Sequence, residues 1–198
     1  STEGIFGTPL GVSANYIFLF VLFGAFLQAT KIGQFYIDIA VKSVGRSPGG
    51  PAKAAVVASS LFGSVSGSAV ANVAGTGSIT IQLMRSIGYR KEFAGAVESV
   101  ASTGGQFMPP IMGAAAFIMA EIIGIPYYQV ALGALIPALI YFGAVFAIIH
   151  FRAKTDGLSG TDTSELPSLK QMMLKKGMMF TPLIILIFFL VIVRISVM

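Results

Sequence analysis

Between Lys53 and Arg85 the chain runs for 31 residues without a charged side chain. One helix of that length would measure roughly 46 Å at 1.5 Å per residue. A bilayer's hydrocarbon core is only about 30 Å thick. The centre of the run is GSVSGSAVANVAGTGS, Gly63 to Ser78, made of small and hydroxyl-bearing residues with no aromatic. Two half-helices of roughly 14 residues, each ~21 Å long, would reach into a membrane and return. The run therefore predicts a re-entrant helical hairpin over 54–84, with both ends on one side and its tip in the Gly/Ser segment.

Composition supports that setting. The chain is 55% hydrophobic and 11% charged, whereas a soluble domain carries about 25% charged residues. The fold class expected is all-α integral membrane. With no Cys, disulfides and thiolate metal sites are excluded. The one His, His150, sits near the end of an apolar span and reads as an interfacial anchor. The net charge of +5 comes from cations flanking apolar spans. That pattern marks topology rather than a nucleic-acid groove. No nucleophile–base pair or paired carboxylates are visible, so no enzyme is expected. The GTGS at Gly75–Ser78 lacks the downstream Lys and preceding strand of a phosphate loop.

Other spans follow along the chain. Gly11–Thr30 is uncharged, and helical spacing of Ile32, Phe35, Tyr36, Ile39 and Ala40 extends it into a span over 11–42. GRSPGGPAK is a loop. The segment 92–123 is broken by STGGQFMPP, where Pro109 and Pro110 lack backbone donors and Gly104 and Gly105 relax the chain. It reads as a discontinuous helix. Residues 127–149 form an ordinary span, 151–176 a polar loop, and 177–198 begin a last span. With a hairpin at 54–84, every Lys and Arg of the 13 except Lys31 and Arg194 falls on one side, which the positive-inside rule makes cytoplasmic. A single crossing at 54–84 would split them.

Irregular backbone at membrane depth survives only inside protein or beside a wet cavity. The tip and the break would leave free carbonyls and helix ends at similar depth. Ser66, Ser68, Asn72, Ser102 and Thr103 add side-chain oxygens. Such neutral oxygens hold a monovalent cation such as Na⁺, and half-helix N-termini nearby favour a carboxylate. The expected Na⁺ ligands are Ser66, Ser68 and Asn72 with backbone at Gly67, Gly104 and Gly105. Ser59 and Ser60 lie outside the tip. Glu98, about 10 Å deeper than Lys91 along a helix, is either a functional carboxylate or the acceptor of an interhelical hydrogen bond or of Arg85 or Arg90. Glu121 is expected at the outer interface. The bland alternative is packing: Gly63 and Gly67 form a GxxxG pair.

The stretch GSVSGSAVANVAGTGSITIQLMRSIGYRKEFAGAVESVASTGGQFMPPIMGAAAFIMAE resembles the large permease subunit of tripartite ATP-independent periplasmic (TRAP) transporters. TEGIFGTPLGVSANYIFLFVLFGAF and GGPAKAAVVAS resemble its TAXI-type branch, often fused to the small membrane subunit. The resemblance implies a Na⁺-coupled elevator importer of organic acids such as C4-dicarboxylates, multi-pass in a bacterial or archaeal inner membrane. It implies a periplasmic substrate-binding protein and a small membrane subunit as partners, and no cofactor beyond Na⁺ as coupling ion. It also implies that 1–150 is the first of two inverted repeats and 177–198 the incomplete opening helix of the second, so the chain reads as half of such a transporter. Ser68, Ser102, Thr103 and Pro109 would then face substrate. The competing function is a non-transporting scaffold or channel-like subunit whose Gly-rich hairpin serves packing.

Overall fold

The computed structural model describes residues 7–30, 32–164 and 166–191, and among them there is no strand. In chain order the helices are α1 Thr8–Val12, α2 Phe18–Ala29, α3 Ile32–Val44, α4 Gly50–Ser66, α5 Ala69–Asn72, α6 Ser78–Ser86, α7 Lys91–Gly104, α8 Ala114–Ile123, α9 Tyr127–Thr155, α10 Leu169–Lys176 and α11 Thr181–Val191. Wider π-type turns at Ser13–Ile17 and Val73–Gly77 join α1 to α2 and α5 to α6. Tighter turns at Gly105–Phe107 and Gly177–Phe180 extend α7 and lead into α11.

Helix α4 is the centre of the molecule. It starts with Pro51 in its first turn, where the missing donor costs nothing, and stops at Gly67, whose φ of 61° only glycine adopts freely. Ala52, Ala55 and Val56 pack against Met84, Tyr89, Ala94, Val97, Ala101 and Phe142 on one side. Phe62 and Val65 pack with Ile32, Phe35, Tyr36 and Ile111 on another. The many alanines let α3, α7 and α9 approach closely, which is how helices associate where lipid offers no hydrophobic drive between them.

Among the described residues, large apolar side chains are exposed on several helices while a set of polar ones is buried. Phe18, Leu19, Leu22 and Phe26 on α2 are exposed, as are Leu132, Ile136, Leu139 and Ile140 on α9. Ser59, Asn72, Thr76, Thr80, Glu98 and Ser102 are buried. Helix α9, with 29 residues, is the described helix long and apolar enough to cross a membrane.

Several boundaries differ from those expected. The arms of the 54–84 run are α4, which starts four residues earlier at Gly50, and a composite of α5, the π-type turn and α6 that runs on to Ser86. The two arms pack on each other about the turn at Gly67–Ser68, and the Asn72 amide donates to the Ser59 carbonyl at 2.8 Å. Lys53 therefore lies inside α4 rather than in a loop. It is 2% exposed, donating to Ser47 Oγ at 3.0 Å and reaching His150 Nδ1 at 2.9 Å. The 11–42 stretch is two helical pieces, α2 ending at Ala29 and α3 starting at Ile32, with Lys31 outside the described residues. Helix α9 continues to Thr155, and Arg152 in its last turn pairs with Asp156 at 2.7 Å. The polar segment after it folds back on the α3–α4 corner. Thr161 N donates to Gly45 O at 2.8 Å, and Lys42 Nζ donates to the carbonyls of Thr163 and Leu166 at 2.9 and 2.8 Å. Within this segment α10 forms on a capping box between Ser168 and Gln171. Residues 192–198 of the last expected span lie outside the described residues.

Candidate functional site

Two interruptions meet face to face. The first is the turn at Gly67–Ser68, where Ser68 Oγ accepts from Ala71 N at 3.2 Å and starts α5. The second follows α7: the chain leaves the helix after Phe107 and resumes at Ala114. Ile111 N in the break donates to Ser64 O on α4 at 3.0 Å, and within the break Gly113 N donates to Gln106 O at 2.5 Å. Met112 holds a positive φ of 56°, a conformation that costs a non-glycine residue about 1–3 kcal/mol and survives only where its surroundings impose it. A Cβ on Gly67 would lie 1.9 Å from the Met112 carbonyl oxygen, so the turn and the break are in backbone contact. The Tyr127 hydroxyl at the start of α9 donates to the carbonyls of Pro110 and Ile111. Its ring stacks on Phe117 at 4.2 Å.

Beside this junction is a cavity of about 240 Å³, lined by Ser66, Gly67, Ser68, Gln106, Met112 and Ala114 with apolar Ile17, Val21, Ile111 and Phe117. Its polar groups are uncharged. Among the described residues no three His, Cys, Asp or Glu come together as a metal-binding group.

A second polar cluster sits deeper, between α4, the second arm and α7. Glu98 is 1% exposed. Its Oε1 accepts from Thr76 Oγ1 at 2.7 Å, Ser102 Oγ at 3.3 Å and Ser59 Oγ at 3.5 Å, and its Oε2 from Thr80 Oγ1 at 2.5 Å. These hydroxyls satisfy the oxygens of a carboxyl that would otherwise carry the full cost of an unpaired buried polar group. Neither Arg85 nor Arg90 takes part. Arg85 is exposed, and Arg90 pairs with Glu92 at 3.6 Å.

The residues expected to act together are thus divided among environments. Ser66, Gly67 and Ser68 face the cavity. Asn72 turns inward and joins the deeper cluster, its Oδ1 3.3 Å from Thr76 Oγ1. Gly105 backs onto Gly63, and Gly104 onto the Tyr141 and Phe142 rings. Ser102 belongs to the Glu98 cluster, while Thr103 is exposed and donates to Ser99 O at 2.8 Å. Pro109 lines a separate apolar cavity of about 220 Å³ with Pro110, Tyr128, Leu132 and Ile187. Ser59, set outside the tip, proves to be a member of the deeper cluster. Thr76 and Thr80 are its other unanticipated members. Their signal was the matched spacing of Thr76/Thr80 and Glu98/Ser102, each four apart, which puts each pair on one helical face.

The model of the DctM component of tripartite ATP-independent periplasmic transporters matches residues 6–197. The chain belongs to the DctM family. It is 32% identical over 139 residues to the C4-dicarboxylate TRAP transporter large permease protein DctM of Vibrio cholerae, covering 70% of this chain and 30% of that protein. It is 29% identical over 141 residues to the isethionate TRAP transporter permease protein DctMQ of Oleidesulfovibrio alaskensis, covering 71% and 22%. The sialic acid TRAP transporter large permease protein SiaM of Vibrio cholerae is 33% identical over 91 residues, or 46% and 22%. The chain thus spans between 22% and 30% of the length of these three relatives. As a DctM-family chain it is an all-helical membrane protein of a transporter family, and its buried polar clusters and exposed apolar helices fit that class.

Proposed function

We propose that this DctM-family chain forms part of a Na⁺-coupled secondary transporter that imports organic acids delivered by a periplasmic substrate-binding protein, with a small membrane subunit alongside. In this reading α4 and the α5–α6 arm form a re-entrant hairpin in the inner membrane, and α7–α8 is the discontinuous helix. The two move together as the first repeat of an elevator. One observation carries the reading: the Gly67 turn and the 108–113 break are joined backbone to backbone beside a cavity of neutral oxygens. Ser66 and Ser68 supply hydroxyls there, and backbone carbonyls at the break other than those of Pro110 and Ile111, which Tyr127 engages, supply the remaining oxygens, as in ion sites at broken helices. Neutral ligands also leave no buried anion behind when the ion departs. The substrate class rests on the relatives, whose names include C4-dicarboxylate, isethionate and sialic acid, all anions at neutral pH.

A second reading is favoured by a different observation. Gly63 and Gly105 touch through their backbones, which is what small residues do at a purely structural helix contact. Uptake in proteoliposomes, with the partner subunits present and Na⁺ replaced by K⁺ at constant ionic strength, separates the two. Transport that stops without Na⁺ supports the coupled transporter. Uptake indifferent to the exchange removes Na⁺ from the proposal, and absence of any uptake in Na⁺ favours the structural module.

A further inference from the structure

We propose that α10 is a docking surface for anionic phospholipid: its outward face lies on the bilayer boundary, with Lys170, Lys175 and Lys176 on lipid phosphates and Leu174 and Met178 against the acyl chains. The surface is outside the cavity at the tip, and the proposal does not depend on how that cavity is used.

One side of α10 is already occupied. Met172 is buried and packs with Ile32, Phe35 and Tyr36. The segment before the helix is tied to α3 by Lys42, which donates to the carbonyls of Thr163 and Leu166. The Ser168–Gln171 capping box fixes the first turn. The helix is therefore held in one orientation, and what it turns outward is set. Leu169 and Met173 form one row four residues apart, and Lys170 and Leu174 form the next. All four are exposed. Leu174 is 78% exposed, and Met178, just past the helix, is 86% exposed.

The charge on this helix has one sign. Its sequence, LKQMMLKK, holds three lysines and no acid. Lys175 and Lys176 stand in the last turn, where the helix dipole favours cations. Lys170 stands in the first turn, where the dipole disfavours a cation and no acid offsets it. None of the three has an ion pair among the described residues. Acids on the neighbouring elements are engaged: Asp38 on α3 accepts from Gln34 at 2.8 Å, and Asp162 accepts from Ser164 at 2.8 Å. An anion from outside the described chain relieves this imbalance.

The apolar side chains among the lysines decide which anion. Free phosphate or an acidic protein face would match the charge and leave Leu174 and Met178 against water or polar groups. A phospholipid satisfies both. Lysine stems lie along apolar surface while their ammonium groups reach the headgroups, and the apolar side chains enter the acyl boundary. The next element fixes the depth. Only the turn Gly177–Phe180 separates α10 from α11, TPLIILIFFLV, which carries no charge and exposes Ile184, Ile185 and Phe188. A helix ending in lysines one turn before such a segment stands at the membrane–water interface.

The test uses fluorescence quenching by brominated lipid. The chain contains no Trp, so Leu174→Trp places a reporter on α10, read as the difference from the unsubstituted permease. The permease carrying this sequence is reconstituted in phosphatidylcholine vesicles with a minor fraction of brominated phosphatidylglycerol or brominated phosphatidylcholine. Ile140→Trp, on the exposed apolar face of α9, calibrates contact with lipid that has no lysine beside it. At position 174 the phosphatidylglycerol is expected to associate about fivefold or more tightly than phosphatidylcholine, the factor contributed by one lysine near an anionic surface. The preference is expected to fall toward unity in Lys170→Gln/Lys175→Gln/Lys176→Gln. It should fall likewise in about 1 M salt, where the Debye length is about 3 Å. The salt arm keeps the lysines and decides the matter should the triple variant fail to reach the membrane. No quenching at 174 by either lipid would mean that water or protein covers α10. Equal quenching by both lipids, or a preference that survives the triple variant or the salt, would mean that the lysines do not hold phosphates. Each of these results overturns the proposal. The readout is independent of uptake, so its failure is distinct from failure of the Na⁺ site at the tip.

Discussion

Gly63 and Gly105 meet through their main chains: a Cβ on Gly63 would stand 2.4 Å from the Gly105 Cα, and one on Gly105 2.7 Å from the Gly63 Cα. No real Cβ is accommodated at that distance from a backbone atom, so helix and turn would have to separate. Gly63→Ala or Gly105→Ala is expected to destabilise by about 1–3 kcal/mol, the usual cost of overpacking a tight contact. Gly143→Ala, with open space around it, is the matched control. Melting of the detergent-solubilised protein measures all three. A Gly63→Ala melting point equal to the control would mean that the two segments do not touch.

Topology gives a second expectation. If the arms form a re-entrant hairpin, residues before α4 and after α6 lie on the same membrane face. Arg46 and Arg90 are both exposed, and they suit labelling better than the buried Lys53. Single cysteines at 46 and 90 should react with an impermeant maleimide from the cytoplasmic side only. Reaction from opposite sides would make 54–84 a single crossing.

The break depends on Tyr127. Its hydroxyl serves the carbonyls of Pro110 and Ile111, which no helix satisfies. Tyr127→Phe keeps the stack on Phe117 but leaves those carbonyls without that donor, at a cost of about 1–3 kcal/mol. Uptake is expected to fall while membrane abundance stays near wild type, since the rest of α9 is untouched. Uptake equal to wild type would show that the geometry of 108–113 does not depend on this hydroxyl.

The interruption of the 54–84 run at Gly67–Ser68 could be read in outline because a long uncharged run that is small and polar at its centre does not suit one continuous helix. The break could be read because adjacent prolines and glycines cannot continue a helix. Orientation around each helix could not. Ser66, Ser68 and Asn72 sit within seven residues, yet the left-handed turn at Gly67 and the π-type turn beginning at Val73 send the serines to the cavity and Asn72 to the Glu98 cluster. Thr76 and Thr80 look like ordinary β-branched residues in an apolar run. Only the docking of α7 beside them makes them ligands of a carboxylate, and that docking is a tertiary fact.

The most direct measurement of the account is the Na⁺ dependence of uptake by the Ser66→Ala/Ser68→Ala double variant, in proteoliposomes with its partner subunits. Both hydroxyls line the cavity at the junction, and neither belongs to the Glu98 cluster. Ser68 also caps the four-residue α5, a loss of about 0.5–2 kcal/mol, so abundance and melting are recorded alongside. The expected result is a rise of about tenfold or more in the Na⁺ concentration for half-maximal uptake, equivalent to about 1.4 kcal/mol of lost binding, with abundance largely retained. An unchanged Na⁺ curve would contradict the ion site at the tip and leave the hairpin turn with a packing role.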